Sequence, residues 1–339
     1  MSAISLDTPL TRHARIAVPL IGGAMYPCGN PELVAAVSEA GGIGIVQPVS
    51  LTYVHKREFR AGLKYIRSLT SKPIGMNALI EKSSAEYMKR MEQWVDIALE
   101  EGVRFFVTSL GNTRWVADRA HAVGGVVYHD VTEAKWAAKA VQGGVDGLIA
   151  VNRRAGGHAG ARGAEELLAE LQPFALPVVC AGGIGDGAGF ADALRMGYAG
   201  VQMGTRFIAT PECNASEAYK RAIVAASEDD VVLSERITGV PVAVLNTPWV
   251  KRAGTRVNAF ERWMLKGPRT KHWMRTWFTL RSVWLMKRDA YDPREGRDVW
   301  QAGKSVAAID SIQPVAAVVR ECAASVTAGA APGASTAGD

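Results

Sequence analysis

Two glycine-rich turns, one helix apart, are the first candidates for chemistry in the sequence. They lie in PVVCAGGIGDGAGFADALRMGYAGVQMGTRF, from Pro177 to Phe207, and each ends a short apolar run, which indicates a parallel βαβ unit. The first turn, from Ala181 to Asp186, opens a helix, and the N–H groups at a helix N-terminus bind phosphate. The second, Gly204-Thr205-Arg206, adds N–H donors, a hydroxyl and a cation. Such a pair predicts the phosphate site formed by the last two units of a (β/α)8 barrel, with two ordinary glycine turns as the alternative.

A histidine between glycines stands in the loop just before this unit. The loop, NRRAGGHAG, runs from Asn152 to Gly160, and His158 has glycines at positions 156, 157 and 160. Such small neighbours let a planar ring or a substrate approach the imidazole, whose ordinary pKa of about 6.5 suits proton transfer at neutral pH. Because the active sites of (β/α)8 barrels lie on the face that this loop joins, we expect His158 to be catalytic rather than a locally packed loop histidine.

Eight apolar runs alternate with helical patterns over the first 203 residues. The predicted strands are Arg15–Ile21, Ile43–Gln47, Pro73–Leu79, Val103–Leu110, Gly125–His129, Gly147–Val151, Pro177–Cys180 and Gly200–Met203. The predicted helices begin at Pro31, with Asn30 as the cap, and continue with Arg57–Leu69, Ala85–Glu101, Asn112–Val123, Thr132–Gly143, Ala164–Leu171 and Asp186–Met196. This order predicts an α/β fold, a (β/α)8 TIM barrel rather than an open doubly wound sheet, because the strands number eight and the phosphate turns come last.

The pattern changes after Thr210. Glu217–Ser227 resembles a helix, Val231–Asn246 an extended segment, and Arg262–Leu265 and Lys271–Lys287 two further helices. We therefore expect residues 1–225 with about 300–323 to form the barrel, and residues 226–299 to form a basic, tryptophan-rich helical addition beside it. Residues 324–339 are mostly small, which predicts a disordered tail.

Composition and charge bear on compartment and partners. The 339 residues are 48% hydrophobic, enough for one large core, and no apolar run reaches the ~18 residues of a membrane span. Four scattered cysteines without metal spacing, and the lack of a secretory signal, favour a reduced, cytoplasmic protein. The net charge of +6 arises from residues 251–288, which carry +10, so we expect no nucleic-acid partner. Four tryptophans in that segment leave contact with a membrane surface as an alternative.

The motifs together resemble those of the nitronate monooxygenase family. GGHAG, CAGGIGDG and QMGTRFIAT occur in the family's order, as do NPELVAAV, AGGIG and PIGMN nearer the N-terminus. The similarity covers about residues 15–225, with a weaker echo at Trp300–Ser305. It implies FMN in the barrel mouth and a small-molecule substrate, implies no metal, and leaves a homodimer open.

The resemblance also implies a role for individual residues. One set would contact the cofactor at its phosphate or its ring: Ala24, Met25, Asn77, Gly157, Ala181, Gly182, Gly183, Met203, Gly204 and Thr205. His158 would be the catalytic histidine beside the flavin. Three cations are the candidate substrate contacts: Arg153, Arg154 and Lys304.

The family's reaction is the oxidation of alkyl nitronates, in which the substrate gives electrons to FMN and molecular oxygen accepts them. His158 would deprotonate a neutral nitroalkane or stabilise the anion. The chain departs from the family at three points: Arg153 and Arg154 stand where several members have an acid, His129-Asp130 where some have a lysine, and the first turn reads GGAMYPCGN in place of the commoner APM form. Since these positions bear on the substrate and the electron donor, NAD(P)H-dependent reduction of a quinone or enoyl thioester is the alternative activity. A flavin-binding module without turnover is a third.

Overall fold

Eight parallel strands close into a barrel, which confirms the predicted TIM barrel. The computed structural model describes residues 4–81, 84–257, 261, 263–264, 270, 277–278, 285–291 and 298–328. Each strand pairs with the next, and the last returns to the first through Ile21 opposite Gln202. The strands are β1 (Leu20–Gly22), β2 (Ile43–Val46), β3 (Ile74–Leu79), β4 (Phe105–Ser109), β5 (Val126–Val131), β6 (Gly147–Val151), β7 (Val178–Ala181) and β8 (Gly200–Met203).

Helices precede, connect and follow these strands. They are α1 (Pro9–Ala14), α2 (Pro31–Glu39), α3 (Phe59–Leu69), α4 (Ala85–Glu100), α5 (Arg114–His121), α6 (Ala134–Gln142), α7 (Ala164–Leu171), α8 (Gly187–Met196), α9 (Thr205–Ile208), α10 (Glu217–Ala225), α11 (Pro248–Ala253) and α12 (Val315–Ala328). Asn30 occupies the N-cap position of α2, but its side chain does not cap the helix, because its amide donates to Glu32 Oε2 and Glu212 O. Of the helices that the structure describes, none is long and apolar enough to cross a bilayer.

The helix α1, which was not predicted, closes the bottom of the barrel. Its Leu10 and Ala14 pack among inward-facing side chains of the strands, which include Ile21, Ile45, Phe105, Tyr128 and Val179. Thr8 caps α1 and donates to Ala199 O at 2.7 Å. A six-residue helix shows too little periodicity for its pattern to be recognised. The barrel interior is therefore a packed core, and its opposite, C-terminal face remains for a site.

A two-stranded antiparallel sheet lies beside the barrel mouth. Its strands are β9 (Val231–Ser234) and β10 (Val242–Leu245), which lie in the segment 231–246 that the sequence predicts to be extended. The addition at residues 226–299 is therefore not helical throughout, although α11 and residues 285–291 are helical. The β9–β10 hairpin and its flanks bury a small cluster of their own: Ile237, Val242, Val244, Val250 and Val299. Most of the two helices predicted at 262–265 and 271–287 lies outside the described residues.

The C-terminal helix α12 extends into the predicted tail. Its buried side chains recur with helical spacing at Val315, Val318, Val319, Cys322 and Val326. This stripe packs against α8 and α2. The expectation of disorder from residue 324 is therefore wrong as far as Ala328, because packing of Val326 holds the last turn. The predicted disorder of residues 329–339 lies outside the described residues.

Candidate active site at the barrel mouth

The turns after β7 and β8 present backbone N–H groups to the mouth. Ala181 ends β7 with its side chain in the barrel interior, and Gly182 and Gly183 follow with φ of +119° and +83°, where glycine is favoured. A Cβ on Gly182 would lie 2.5 Å from Ala155 N, so no larger residue fits. The N–H groups of Gly182, Gly183 and Gly204 donate to no other atom of the described chain. Unpaired donors in two adjacent turns form a nest that can hold phosphate oxygens.

The N-terminus of α8 does not contribute to this nest, contrary to the prediction. Its N–H groups at residues 187 and 189 donate to the carboxylates of Glu321 and Asp186, at 2.7 and 2.8 Å. Two carboxylates at the start of the helix satisfy its positive end and would repel a phosphate there. A phosphate at this mouth must therefore rest on the turns themselves.

The turn after β8 provides a hydroxyl but not the predicted cation. Thr205 Oγ1 accepts from Gly303 N at 3.0 Å and keeps its own proton to donate. Arg206 is buried, and its guanidinium donates to Ala209 O and Ser311 O, both at 2.9 Å. Because both carbonyls belong to the protein scaffold, Arg206 holds two segments together, and its assignment as a phosphate cation is wrong.

Ala24 and Met25 reach the same mouth from the end of β1. A Cβ on Gly204 would lie 3.4 Å from Met25 Sδ, which places the Met25 side chain at the second turn. Gly23 N donates to Met203 O at 2.9 Å, so Met203 contributes its backbone here while its side chain packs in the outer core. Ala24 packs against the cluster inside the barrel. The structure thus brings these predicted cofactor contacts together.

Inward-facing polar side chains line the mouth on strands across from the turns. Asn77 on β3 is buried and donates to Val107 O at 3.3 Å, which leaves its amide oxygen for a ligand. Asp130 on β5 accepts a 2.5 Å bond from Ser109 Oγ, and burial raises the pKa of its carboxyl to about 6. Sequence reasoning did not select Asp130 as a site residue. The sequence did contain a signal for it. Asp130 lies two residues after the inward-facing Tyr128, and alternate residues of a strand face the same side.

A buried asparagine that sequence reasoning missed connects the histidine loop to the first turn. Asn152 follows β6 and is fully buried. Its Oδ1 accepts from Arg154 N at 2.8 Å, and its Nδ2 donates to Gly182 O at 3.0 Å. One side chain therefore fixes the loop that carries His158 relative to the turn after β7. Its only signal in the sequence was its position directly after a strand.

The histidine loop is joined to the hairpin. Gly157 O accepts from Ala243 N at 2.7 Å, which attaches the loop to β10. Thr238 Oγ1 lies 3.5 Å from His158 Nε2 and donates its proton to Val240 O at 2.8 Å. Because that hydroxyl proton is engaged, the contact favours the tautomer with its proton on Nε2 and its lone pair on Nδ1. Thr238 could not be predicted, because it is 80 residues from His158 in the sequence.

The surroundings of His158 favour the neutral imidazole. The residue is exposed, yet the protein around the ring lowers its pKa below the usual 6.5, because partial desolvation penalises the charged form. At pH 7 the ring is therefore neutral and has one nitrogen lone pair, the state required of a general base. The arrangement can take a proton from an acidic C–H group.

The two adjacent arginines of the loop point to different places. Arg153 is exposed, and a Cβ on Gly163 would lie 3.8 Å from its Cζ. Arg154 instead lies against Gly183 of the first turn, and Lys304 N donates to Arg154 O at 2.9 Å. The structure therefore brings Arg154 and the backbone of Lys304 to the first turn and places Arg153 beside the start of α7.

Comparison with known proteins identifies the family of this fold and site. The nitronate monooxygenase family model matches residues 7–324. The chain is 34% identical to the (3aS,4S,5R,7aS)-5-hydroxy-7a-methyl-1-oxo-octahydro-1H-indene-4-carboxyl-CoA dehydrogenase of Rhodococcus jostii, over 73% of this chain and 67% of that protein. It is 27% identical to a probable nitronate monooxygenase of Staphylococcus saprophyticus, over 74% of this chain and 81% of the other. The structure of FabK from Thermotoga maritima matches with a TM-score of 0.80 at 28% identity, covering 96% and 98% of the two chains. The chain therefore belongs to the nitronate monooxygenase family of oxidoreductases.

Proposed function

We propose that this protein is an FMN-dependent oxidoreductase of a CoA thioester. The relative from Rhodococcus jostii, named as a carboxyl-CoA dehydrogenase, supports this substrate class at 34% identity, against 27% for the probable nitronate monooxygenase. The +10 charge of residues 251–288 supports it as well, because the phosphates of CoA are anionic.

FMN fits the residues at the mouth. Its single phosphate can accept from the unpaired N–H groups of Gly182, Gly183 and Gly204 and from the hydroxyl of Thr205. The missing Cβ of Gly182 lets the first turn pack closely against Ala155, and Asn77 offers an amide to the edge of a flavin ring. When bound, FMN would supply the hydride acceptor. The chain supplies binding, orientation and a base.

We assign proton transfer to His158. A C–H group beside a thioester carbonyl is acidified by that carbonyl, and a neutral imidazole with a lone pair on Nδ1 can accept its proton. Thr238 Oγ1 lies 3.5 Å from the Nε2 nitrogen, and the bond between Gly157 and Ala243 keeps the loop at the hairpin. The observation that carries the proposal is this hairpin against the histidine loop. It extends the site beyond the barrel, which suits a long thioester better than a small nitronate.

Oxidation of alkyl nitronates with molecular oxygen is the second candidate. The family match over residues 7–324 and the relative from Staphylococcus saprophyticus favour it. In that reaction His158 would accept the proton of a neutral nitroalkane, as expected from the sequence.

Anaerobic mixing of the FMN-loaded protein with separate substrates tests the two candidates. The probes are octanoyl-CoA, cyclohexanecarboxyl-CoA, propyl-2-nitronate and NADH, each followed by the flavin absorbance. Bleaching by either thioester supports the proposal, as does bleaching by NADH that crotonyl-CoA reverses. Bleaching by the nitronate alone supports the second candidate. A flavin that no CoA compound bleaches or restores overturns the proposal.

A further inference from the structure

Arg154 covers the first phosphate turn rather than extending into solvent. A Cβ on Gly183 would lie 2.5 Å from Arg154 Nε and 2.9 Å from its Cδ. The arginine stem therefore lies against the α-carbon of a glycine whose N–H is unpaired within the described chain. A positive group is thereby placed beside the donors that a phosphate would use.

The backbone of Arg154 is held on both sides. Its N–H donates to Asn152 Oδ1 at 2.8 Å, and its carbonyl accepts from Lys304 N at 2.9 Å. Asn152 also donates to Gly182 O at 3.0 Å. The position of Arg154 relative to the turn thus depends on a fully buried side chain and not on a free surface loop.

The guanidinium has a carboxylate partner at the edge of the site. Arg154 Nη2 forms an ion pair with Glu228 Oε1, and the two side chains are 40% and 36% exposed. Glu228 begins the 3-10 turn Glu228–Asp230, outside the barrel. Solvent screens an ion pair at this exposure, so the pair is weak. A phosphate carries more negative charge than a carboxylate and has more acceptor oxygens, so it can replace Glu228.

We propose that Arg154 is the side-chain cation of the FMN phosphate site and that Glu228 holds it there until the phosphate displaces the carboxylate. This inference rests on the proposed FMN dependence. Binding exchanges one ion pair for another, and no covalent bond changes. In this proposal Arg154 contacts the cofactor rather than the substrate, the contact expected from the sequence. Arg154 would then supply the positive charge at the phosphate site that the sequence predicted for Arg206.

FMN and riboflavin share one ring system, but only FMN has the phosphate, so their dissociation constants isolate the phosphate contacts. In Arg154→Gln the Kd of the flavin-stripped full chain for FMN should rise about 10–100-fold, the loss of one charge-assisted contact, while the Kd for riboflavin stays unchanged. Glu228→Gln removes the competing carboxylate and should lower the Kd for FMN alone. Arg153→Gln is the matched control, since Arg153 lies beside Gly163, and both constants should equal those of the wild type. Flavin fluorescence quenching measures all of them.

Arg154→Lys, which keeps the charge, should recover most of the lost FMN affinity. A lysine variant as weak as the glutamine variant, or equal losses for FMN and riboflavin, would make Arg154 a structural strut and overturn the proposal. Unchanged FMN affinity with a raised KM for a thioester would return Arg154 to the substrate and also overturn it. A wild-type chain that binds neither flavin would contradict the FMN dependence itself, a result distinct from the others.

Discussion

The barrel and the hairpin contribute to the mouth in different ways. The barrel is closed by strand pairings on all sides, and these fix the turns that present N–H groups. The hairpin has one pairing, between β9 and β10, and a small apolar cluster of its own. It meets the barrel side through backbone bonds from Ala243 N to Gly157 O at 2.7 Å and from Leu245 N to Trp300 O at 2.8 Å. We therefore infer that the proposed cofactor binding depends on the barrel and that substrate recognition depends on the hairpin.

If the barrel binds the cofactor and the hairpin contacts the substrate, substitutions in the two regions should change different measured quantities. Substitutions in the barrel turns should lower FMN affinity, and substitutions in the hairpin should alter substrate kinetics. His158 lies where the two regions meet, so its loss should affect the chemistry and leave FMN binding intact.

Removal of the imidazole of His158 should have the largest effect. Asparagine keeps a polar side chain but cannot accept the proton, so turnover of a substrate that must lose a C–H proton should fall about 10²–10⁴-fold in His158→Asn. The loss should be smaller for preformed propyl-2-nitronate, which has no such proton to give. The flavin content should not change, because the unpaired donors belong to the glycine turns. Stopped-flow flavin reduction and the flavin absorbance of the purified variant measure the two outcomes.

His121 provides the control for this substitution. It ends α5, with Nε2 at 2.9 Å from Asp146 Oδ2, so His121→Asn should keep wild-type turnover. Release of FMN from His158→Asn would instead place the imidazole in the cofactor site. Equal losses on nitroalkane and nitronate would point to a binding role and not to proton transfer.

A methyl group on Gly182 should weaken the hold on the cofactor. Its Cβ would lie 2.5 Å from Ala155 N, so the turn must move, and loss of a charge-assisted N–H contact should raise the FMN Kd about 10–100-fold in Gly182→Ala. Gly197 at the end of α8 also has a positive φ, +104°, but the nearest atom to its Cβ is 4.0 Å away. Gly197→Ala should therefore cost about 1–3 kcal/mol of stability and leave FMN affinity unchanged. Isothermal titration and urea unfolding separate the two effects, and equal FMN affinities would contradict a cofactor role for the first turn.

The fold was predictable because its signals are local. Eight apolar runs alternate with seven helical patterns, and each can be recognised within about 30 residues. Closure of the barrel follows from that count and the late position of the phosphate turns. The short helix α1 was not predicted, and the hairpin was predicted only as an extended segment. Both elements are stabilised by packing against distant parts of the chain, which a local pattern does not show.

The site was predictable in outline but not in its hydrogen bonds. The glycines and His158 stand out by spacing, whereas the contact of His158 with Thr238 joins residues 80 apart. The prediction that the N-terminus of α8 binds phosphate was wrong for the same reason. The carboxylate that accepts from Gly187 N belongs to Glu321, 134 residues away. Which donors remain unpaired depends on how distant segments meet, and a local pattern does not contain that information.

Asp130 should make the stability of the barrel depend on pH. Burial raises its pKa from 3.8 to about 6, so the protonated carboxyl stabilises the fold below about pH 4, and this contribution is lost as pH rises through 6. Asp130→Asn should avoid that loss. The free energy of unfolding of the variant relative to the wild type should therefore increase by roughly 1–2 kcal/mol between about pH 4.5 and pH 8. Urea unfolding at the two pH values measures it, with Asp192→Asn on the exposed side of α8 as the control. A constant difference would contradict the raised pKa.

The smallest effect is expected from a substitution in the hairpin core. Comparison with the same substitution in the barrel tests most directly whether the two regions act separately. Val244 is fully buried in the hairpin cluster, and Val179 is fully buried in the barrel interior. Replacement by alanine removes the same two methyl groups at either site, worth about 1–3 kcal/mol of burial. In Val179→Ala the loss should lower the free energy of unfolding of the barrel. In Val244→Ala the hairpin can shift locally, so the KM of an active thioester should rise about 2–10-fold while FMN affinity and the urea midpoint stay unchanged. If both variants lost the same unfolding free energy, hairpin and barrel would form one cooperative unit, and substrate recognition could not vary independently of the cofactor site.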